Sequence, residues 1–160
     1  MSVFVTVGST SFDNLIKVAT SENVLHVLKS KGFNKVVLQI GRGTVLPEKS
    51  SILEIEWFKY KDSLADDIKS ASLVIGHAGA GTILESLIEQ KPLITVFNET
   101  LMNNHQSELA EQMEKDGFLI SCSTDKLLKT LENFDSKKLK TYMSDQNRFP
   151  AFLHEIMGFR

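Results

Sequence analysis

Short apolar segments rich in β-branched residues alternate along the chain with segments whose hydrophobic residues recur at helical spacing. The apolar segments predict six strands, at Val3–Val7, Lys35–Ile40, Ile52–Phe58, Leu73–Gly76, Leu93–Phe97 and Phe118–Ser121. Strands this apolar are buried on both faces, which is typical of a parallel sheet covered by helices on both sides. The pattern therefore predicts an α/β domain with a doubly wound parallel sheet of about six strands.

The intervening helical patterns predict helices at 13–31 (as one or two helices), 63–70, 82–90, 104–116 and 125–134. A chain of 160 residues has room for one such domain, which would span 1–160. Its net charge of −2 provides no long-range attraction to nucleic acid. Cys122 is the single cysteine, so no intrachain disulfide can form, which fits a reducing compartment. No signal peptide or apolar membrane span is recognisable, so we expect a cytosolic protein that reaches a membrane through another chain.

Ligands of doubly wound sheets bind beyond the carboxyl ends of the parallel strands. The segments that follow the predicted strands hold most of the small and hydrogen-bonding residues of the chain, namely Gly8–Ser11, Gly41–Thr44, Phe58–Lys61, His77–Thr82, 98–106 and 122–124. The sequence therefore predicts a binding site along this rim of the sheet.

The most informative segment of the rim is His77-Ala-Gly-Ala-Gly-Thr82, a glycine-rich turn between a strand and a helix. Side chains are missing at Gly79 and Gly81, so backbone N–H groups can approach a ligand, and the partial positive charge of the helix N-terminus favours a diphosphate. His77 adds a possible hydrogen bond to phosphate. The alternative is that the glycines only make the turn, with Thr82 and Glu85 forming a capping box.

A second cluster, Asn104, His105 and Gln106, stands at the start of a predicted helix. Amide and imidazole groups there can bind sugar hydroxyls or phosphate. The alternative is that Asn103 caps the helix and Gln106 reaches back to it.

A dinucleotide fingerprint, a Walker motif, zinc-ligand spacing and an Asp-x-Asp pair are all missing, so we expect neither a cofactor nor a metal.

Five segments carry a family resemblance: Val5-Thr-Val-Gly-Ser-Thr-Ser-Phe-Asp13, Leu38-Gln-Ile-Gly-Arg-Gly-Thr44, Tyr60-Lys-Asp-Ser-Leu64, His77-Ala-Gly-Ala-Gly-Thr-Ile-Leu-Glu-Ser86 and Met102-Asn-Asn-His-Gln106. They resemble the C-terminal domain of glycosyltransferase family 28, the Rossmann-like donor-binding half of GT-B enzymes. Within that family they are most similar to the catalytic subunit of a two-chain UDP-N-acetylglucosamine (UDP-GlcNAc) transferase of dolichol-linked oligosaccharide synthesis. The resemblance runs from residue 3 to about residue 122.

This resemblance implies transfer of GlcNAc from UDP-GlcNAc to GlcNAc-diphospho-dolichol, at the cytosolic face of the endoplasmic reticulum. Its motifs imply that the turn comprising His77, Ala78, Gly79, Ala80, Gly81 and Thr82 holds the diphosphate, with Gly8, Ser9 and Arg42 nearby. They further imply that Glu85 binds the ribose. Tyr60 and Lys61 would flank the uracil, and His105 with Gln106 would hold the GlcNAc. Helix dipole and side-chain donors would stabilise the departing UDP without a metal.

The resemblance also implies a partner, since the acceptor-binding half of GT-B enzymes has no counterpart in this sequence. A membrane-anchored subunit is expected to bind the lipid acceptor and to supply the general base. A C-terminal helix is expected at 146–160, with an apolar stripe formed by Phe149, Phe152, Leu153 and Ile156. The stripe either docks on the partner or packs on the domain itself.

Two other functions remain open, a paired subunit that transfers another sugar to a polyprenyl-linked precursor, and a non-enzymatic nucleotide-binding module.

Overall fold

Parallel strands form the centre of the computed structural model, which describes residues 1–97 and 107–143. The strands are β1 (Ser2–Thr6), β2 (Lys35–Gln39), β3 (Glu54–Phe58), β4 (Leu73–His77), β5 (Leu93–Phe97) and β6 (Ile120–Ser123). Their order across the sheet is β3-β2-β1-β4-β5-β6, and every neighbouring pair is parallel. The predicted doubly wound sheet of six strands is confirmed.

Helices cover both faces of this sheet. They are α1 (Asp13–Ala19), α2 (Glu22–Ser30), α3 (Ala65–Ser70), α4 (Ala80–Ile88), α5 (Glu108–Lys115) and α6 (Leu127–Glu132), with short 3₁₀ turns at Thr124–Lys126 and Ser136–Lys138. The buried residues of α1, α2 and α6 pack in one hydrophobic cluster, and those of α3, α4 and α5 in the other. None of the described helices is long and apolar enough to cross a bilayer.

Strand register brings the carboxyl ends of the strands to one rim, as predicted. Thr6 near the end of β1 lies beside Gln39 of β2 on one side and beside Gly76 of β4 on the other. The strand order reverses at this point, because β2 and β4 leave β1 in opposite directions. The turns that follow β1 and β4 therefore lie next to each other, where doubly wound folds bind ligands.

Hydroxyl groups divide the long helical pattern predicted over 13–31. Thr20 Oγ1 donates to the carbonyl of Ile16 at 2.8 Å, and Ser21 Oγ donates to the carbonyl of Val18 at 2.7 Å. Such bonds compete with the helical backbone pattern. The helix consequently ends at Ala19 and a second one begins at Glu22.

The last strand begins later than predicted. The sequence predicted a strand at 118–121, whereas β6 spans Ile120–Ser123. Phe118 instead lies before the strand, where its ring meets the edge of Tyr142 with the ring centroids 5.4 Å apart.

The end of α4 contains an unfavourable backbone conformation that a substitution can relieve. Gln90 has φ 57°, the one positive value at a non-glycine residue in the described part of the chain. Since this left-handed conformation costs an L-residue roughly 1–2 kcal/mol, we expect Gln90→Gly to raise the free energy of unfolding by about 0.5–1 kcal/mol. Urea unfolding measures this. Glu89→Gly is the control, because Glu89 has φ −78° and glycine there should destabilise; a gain in both variants would contradict the prediction.

Candidate functional site

His77 fills the space between the turn after β1 and the turn after β4. A Cβ atom at Gly8 would lie 2.7 Å from Cε1 of the imidazole and 3.0 Å from Nε2, and a Cβ at Gly79 would come closer still. No side chain fits at either position unless the ring moves. From the sequence, the missing side chain of Gly79 is interpreted as an opening for a ligand, but in the structure it makes room for His77.

Burial lowers the pKa of His77, and the nearby backbone of Thr6 opposes this shift only in part. Its Nδ1 is buried without a hydrogen-bond partner among residues 1–97 and 107–143. Because the pKa lies below the usual value near 6.5, the imidazole is neutral at pH 7. His77 therefore offers a hydrogen bond rather than a charge to a group bound at this rim.

Helix α4 begins with backbone amides that no side chain caps. The N-cap residue is Gly79, in an extended conformation (φ −80°, ψ 136°), and the first turn contains no acidic residue. A Cβ at Gly81 would meet no described residue within 4 Å, so this part of the structure leaves the space beside the turn open. The positive end of the helix dipole and uncapped N–H groups together suit an anion such as phosphate.

The alternative reading of this segment, a capping box of Thr82 and Glu85, is wrong. The helix begins at Ala80, two residues before the predicted start, so Thr82 lies inside its first turn rather than at the N-cap. Thr82 is buried, and its methyl group packs close to Gly76, where a Cβ would lie 3.1 Å away. Glu85 is exposed four residues after Gly81, which places it on the same face of α4, one turn farther from the rim.

The turn after β2 supports the turn after β1. Gly41 has φ 59°, and a Cβ there would overlap the carbonyl oxygen of Thr10 and lie 3.0 Å from that of Gly8. The next residue, Arg42, donates its backbone N–H to the Thr10 carbonyl at 3.1 Å. The side chains of Arg42 and Ser9 are both exposed. Their loops thus meet at the predicted rim.

The segment after β3 presents an aromatic ring. Tyr60 is 52% exposed. Lys61 is held elsewhere, since its ammonium bonds the carboxylate of Asp67 on α3 at 3.1 and 3.2 Å and lies 4.2 Å from the ring centre of Phe58. Tyr60 is therefore the freer of the two side chains predicted to flank a base.

The remaining predicted site residues lie outside the described residues. They are Asn104, His105 and Gln106 of the second cluster and Phe149, Phe152, Leu153 and Ile156 of the C-terminal stripe. Their proposed roles, and the helix at 146–160, stay predictions. Within the described residues, no group of three or more His, Cys, Asp or Glu side chains is placed to hold a metal ion.

Two polar residues that organise the rim were given no role by the sequence analysis. Gln39 is 2% exposed and bonds two of the loops, at Gly8 and at Lys59. Asp13, the first residue of α1, accepts from the N–H and hydroxyl of Thr44 at 3.1 and 2.9 Å and from the N–H of Val45 at 3.3 Å. Burial alone would raise the pKa of Asp13, but these bonds and Lys17 lower it below its usual value. The sequence does contain one signal for Gln39, since it is an uncharged polar residue at the end of an apolar strand.

Comparison with known proteins gives one family. The model of the glycosyltransferase family 28 C-terminal domain matches residues 2–157. The chain is 54% identical over 123 residues to the UDP-N-acetylglucosamine transferase subunit ALG13 of Homo sapiens, covering 76% of this chain and 11% of the human one. It is 30% identical over 191 residues to the protein of the same name from Kluyveromyces lactis, covering 97% of each. The chain thus spans about a tenth of the length of its mammalian relatives.

Solved structures show the same fold. An NMR solution structure of ALG13 superposes with a TM-score of 0.73 at 24% identity, covering 99% of this chain and 96% of the other. The crystal structure of MurG from Acinetobacter baumannii superposes with a TM-score of 0.63 at 19% identity, covering 86% of this chain and 42% of MurG. The fold is therefore the Rossmann-like α/β fold of one half of a GT-B glycosyltransferase, as the sequence predicted.

Proposed function

Because this chain belongs to the glycosyltransferase family 28 C-terminal domain family, we propose that it is the donor-binding subunit of a transferase that moves GlcNAc from UDP-GlcNAc to GlcNAc-diphospho-dolichol. The uncapped start of α4 carries this proposal. Its first turn has no side-chain cap among the described residues, and the neutral imidazole of His77 lies against Gly79 at the start of the helix. Backbone N–H groups and an imidazole N–H are both hydrogen-bond donors suited to a diphosphate. The names of the relatives support UDP-GlcNAc as the donor.

In the proposed reaction, the acceptor hydroxyl attacks the anomeric carbon of GlcNAc and the bond from that carbon to the diphosphate breaks. Negative charge then grows on the departing UDP. The helix dipole of α4 and its fixed N–H groups stabilise this charge, which lowers the barrier because the donors are already oriented. The base that takes the hydroxyl proton is assigned to the partner.

The other parts of the donor have their own proposed contacts. Glu85 binds the ribose hydroxyls, Tyr60 stacks on or beside the uracil, and His105 with Gln106 holds the sugar. The position of Glu85, exposed on the face of α4 that also contains Gly81, supports this arrangement, since a ribose lies next to the diphosphate in UDP-GlcNAc.

The test is reconstitution with a membrane-anchored partner subunit and a GlcNAc-diphospho-lipid acceptor. We expect sugar transfer from UDP-GlcNAc with both chains and none with either alone. UDP-galactose and UDP-glucuronate serve as competing donors. Preference for one of them would favour transfer of another sugar to a polyprenyl-linked acceptor. Nucleotide binding without transfer in any combination would favour a non-enzymatic module.

Replacing Glu85 tests the ribose contact. Loss of a hydrogen-bonded carboxylate costs about 1.5–3 kcal/mol of binding, so we expect Glu85→Ala to lower kcat/KM for UDP-GlcNAc at least about tenfold. The melting temperature should stay within a few degrees of wild type, since Glu85 is exposed. Glu89→Ala changes the C-cap residue that follows α4, one turn beyond Glu85; it is the control and should keep full activity. Wild-type kinetics in Glu85→Ala would place the ribose elsewhere.

Truncation tests the proposed docking role of the C-terminal stripe. A chain that ends after Asp145 lacks Phe149, Phe152, Leu153 and Ile156. We expect it to fold, to retain UDP-GlcNAc binding and to lose co-purification with the partner. Retained co-purification would show that the partner binds another surface.

A further inference from the structure

A single buried amide at the end of β2 connects two loops of the rim, the turn after β1 and the segment after β3. Gln39 Oε1 accepts from Thr6 Oγ1 at 2.6 Å, from the N–H of Gly8 at 2.9 Å and from the N–H of Val7 at 3.1 Å. Its Nε2 donates to the carbonyl of Gly8 at 2.7 Å and to that of Lys59 at 2.8 Å. Three donors face the oxygen and two carbonyls face the nitrogen, so the partners fix the orientation of the amide. Both of its N–H groups are used.

These bonds hold the turn after β1 at two points. Gln39 binds both the N–H and the carbonyl of Gly8, the residue with φ 65° that packs on the His77 ring. The bond to Lys59 connects the same amide to the segment that leads into Tyr60. A change at Gln39 therefore reaches the imidazole through Gly8 and the exposed tyrosine through Lys59.

No other side chain of this size satisfies the same five groups. A carboxylate lacks the two donors. An apolar side chain leaves the Gly8 carbonyl and the Thr6 hydroxyl without the partners they have here, while the N–H groups of Val7 and Gly8 and the Lys59 carbonyl keep only their second bonds of 3.2–3.3 Å. Leaving such groups unpaired costs more than the bonds contribute, so the loops would move to find water. We propose that Gln39 is a positioning residue that sets the shape of the donor site. This inference rests on the proposed function, because it concerns the affinity for UDP-GlcNAc.

The first test replaces Gln39 with methionine, which has a similar length and cannot form these bonds. We expect Gln39→Met to raise KM for UDP-GlcNAc at least tenfold in the reconstituted pair, while KM for the lipid acceptor changes less than twofold. Leu28→Ala is the control, because Leu28 is fully buried in the cluster under α2 and its loss destabilises without touching the rim. Leu28→Ala should lower the maximal rate in proportion to the fraction of folded protein. It should leave the KM values for UDP-GlcNAc and for the lipid acceptor unchanged.

A second pair of variants keeps the inference testable if Gln39→Met fails to fold. Thr6→Val preserves the shape of the buried side chain but removes the hydroxyl, which donates to Gln39 and accepts from the N–H of Gly8 at 3.2 Å. We expect a rise of about threefold in KM for UDP-GlcNAc. Thr6→Ser keeps the hydroxyl and loses a buried methyl group, so it should lower stability and leave KM near wild type.

The outcomes separate the two proposals. If wild type with its partner does not use UDP-GlcNAc, the proposed function fails. If wild type does use it, and Gln39→Met or Thr6→Val has an unchanged KM for UDP-GlcNAc while folded, the role of Gln39 is wrong and the proposed function stands. Equal KM shifts in Leu28→Ala and Gln39→Met would also overturn the role, since they would reflect stability alone.

Discussion

Gly81→Ala is expected to leave the chain folded while weakening the binding of UDP-GlcNAc at least tenfold. The added methyl group meets no atom of residues 1–97 or 107–143 within 4 Å, and alanine is favoured over glycine in a helix by about 1 kcal/mol. Side chains of a helix lean toward its N-terminus, so this methyl group projects into the space that we assign to the diphosphate. Stability and binding should therefore change in opposite directions.

Two measurements check this prediction. Urea unfolding reports the gain in stability, and titration calorimetry with UDP and UDP-GlcNAc reports the loss in affinity. Ile88→Ala is the matched control, because Ile88 is exposed at the other end of the same helix and should leave the affinity unchanged. Undiminished affinity in folded Gly81→Ala would show that the nucleotide phosphates do not bind at the start of α4.

Gly41→Ala is expected to lower the free energy of unfolding by roughly 2–5 kcal/mol. About 1–2 kcal/mol comes from the left-handed backbone, and about 1–3 kcal/mol from forcing a methyl group against the Thr10 carbonyl. Backbone atoms cannot give way as a flexible side chain can. The turns after β1 and β2 must separate, so activity should fall together with stability.

Gly117→Ala isolates the backbone contribution. Gly117 has φ 86°, and the three atoms nearest to a Cβ there belong to the flexible side chain of Lys140, at 3.4 Å or more. The difference between the two variants in urea unfolding therefore measures the close approach of Gly41 to Thr10. Equal losses would mean that this approach contributes nothing to the cost.

The position of the candidate site was predictable because topology alone brings the ends of the strands together. Apolar strands separated by helices imply a parallel sheet, and the carboxyl ends of parallel strands share a rim. The segments after β1, β2, β3 and β4 all lie there, as expected. This inference needed no knowledge of any single side-chain contact.

Contacts between loops were not predictable in the same way. Gly79 looked like a residue that clears space for a ligand, because sequence spacing does not show that His77 folds back against it. Thr82 and Glu85 matched a capping box by spacing. An extended Gly79 lets the helix begin earlier, and Thr82 then packs on Gly76. In both cases the backbone conformation determines which residues are in contact, His77 with Gly79 and Thr82 with Gly76.

The hydrogen bonds of Gln39 could not be predicted from the sequence either. Its partners come from the end of β1, from the following turn and from the residue after β3, and the sequence does not indicate that these groups converge on one amide. What the sequence does show is an uncharged polar residue within an apolar strand, which calls for buried hydrogen bonds of some kind. Their number and their targets require the three-dimensional arrangement.

The strand order also governs when a growing chain acquires this site. β1 pairs with β2, which follows it closely, but its other neighbour is β4, which is synthesised only after β2 and β3. Such distant parallel pairing is slow, because closing a long loop costs conformational entropy before the strands make any stabilising contact. A nascent chain that has not yet reached β4 has the Gly8 turn without the imidazole that packs on it. The candidate site is therefore completed late, in the step that completes the middle of the sheet.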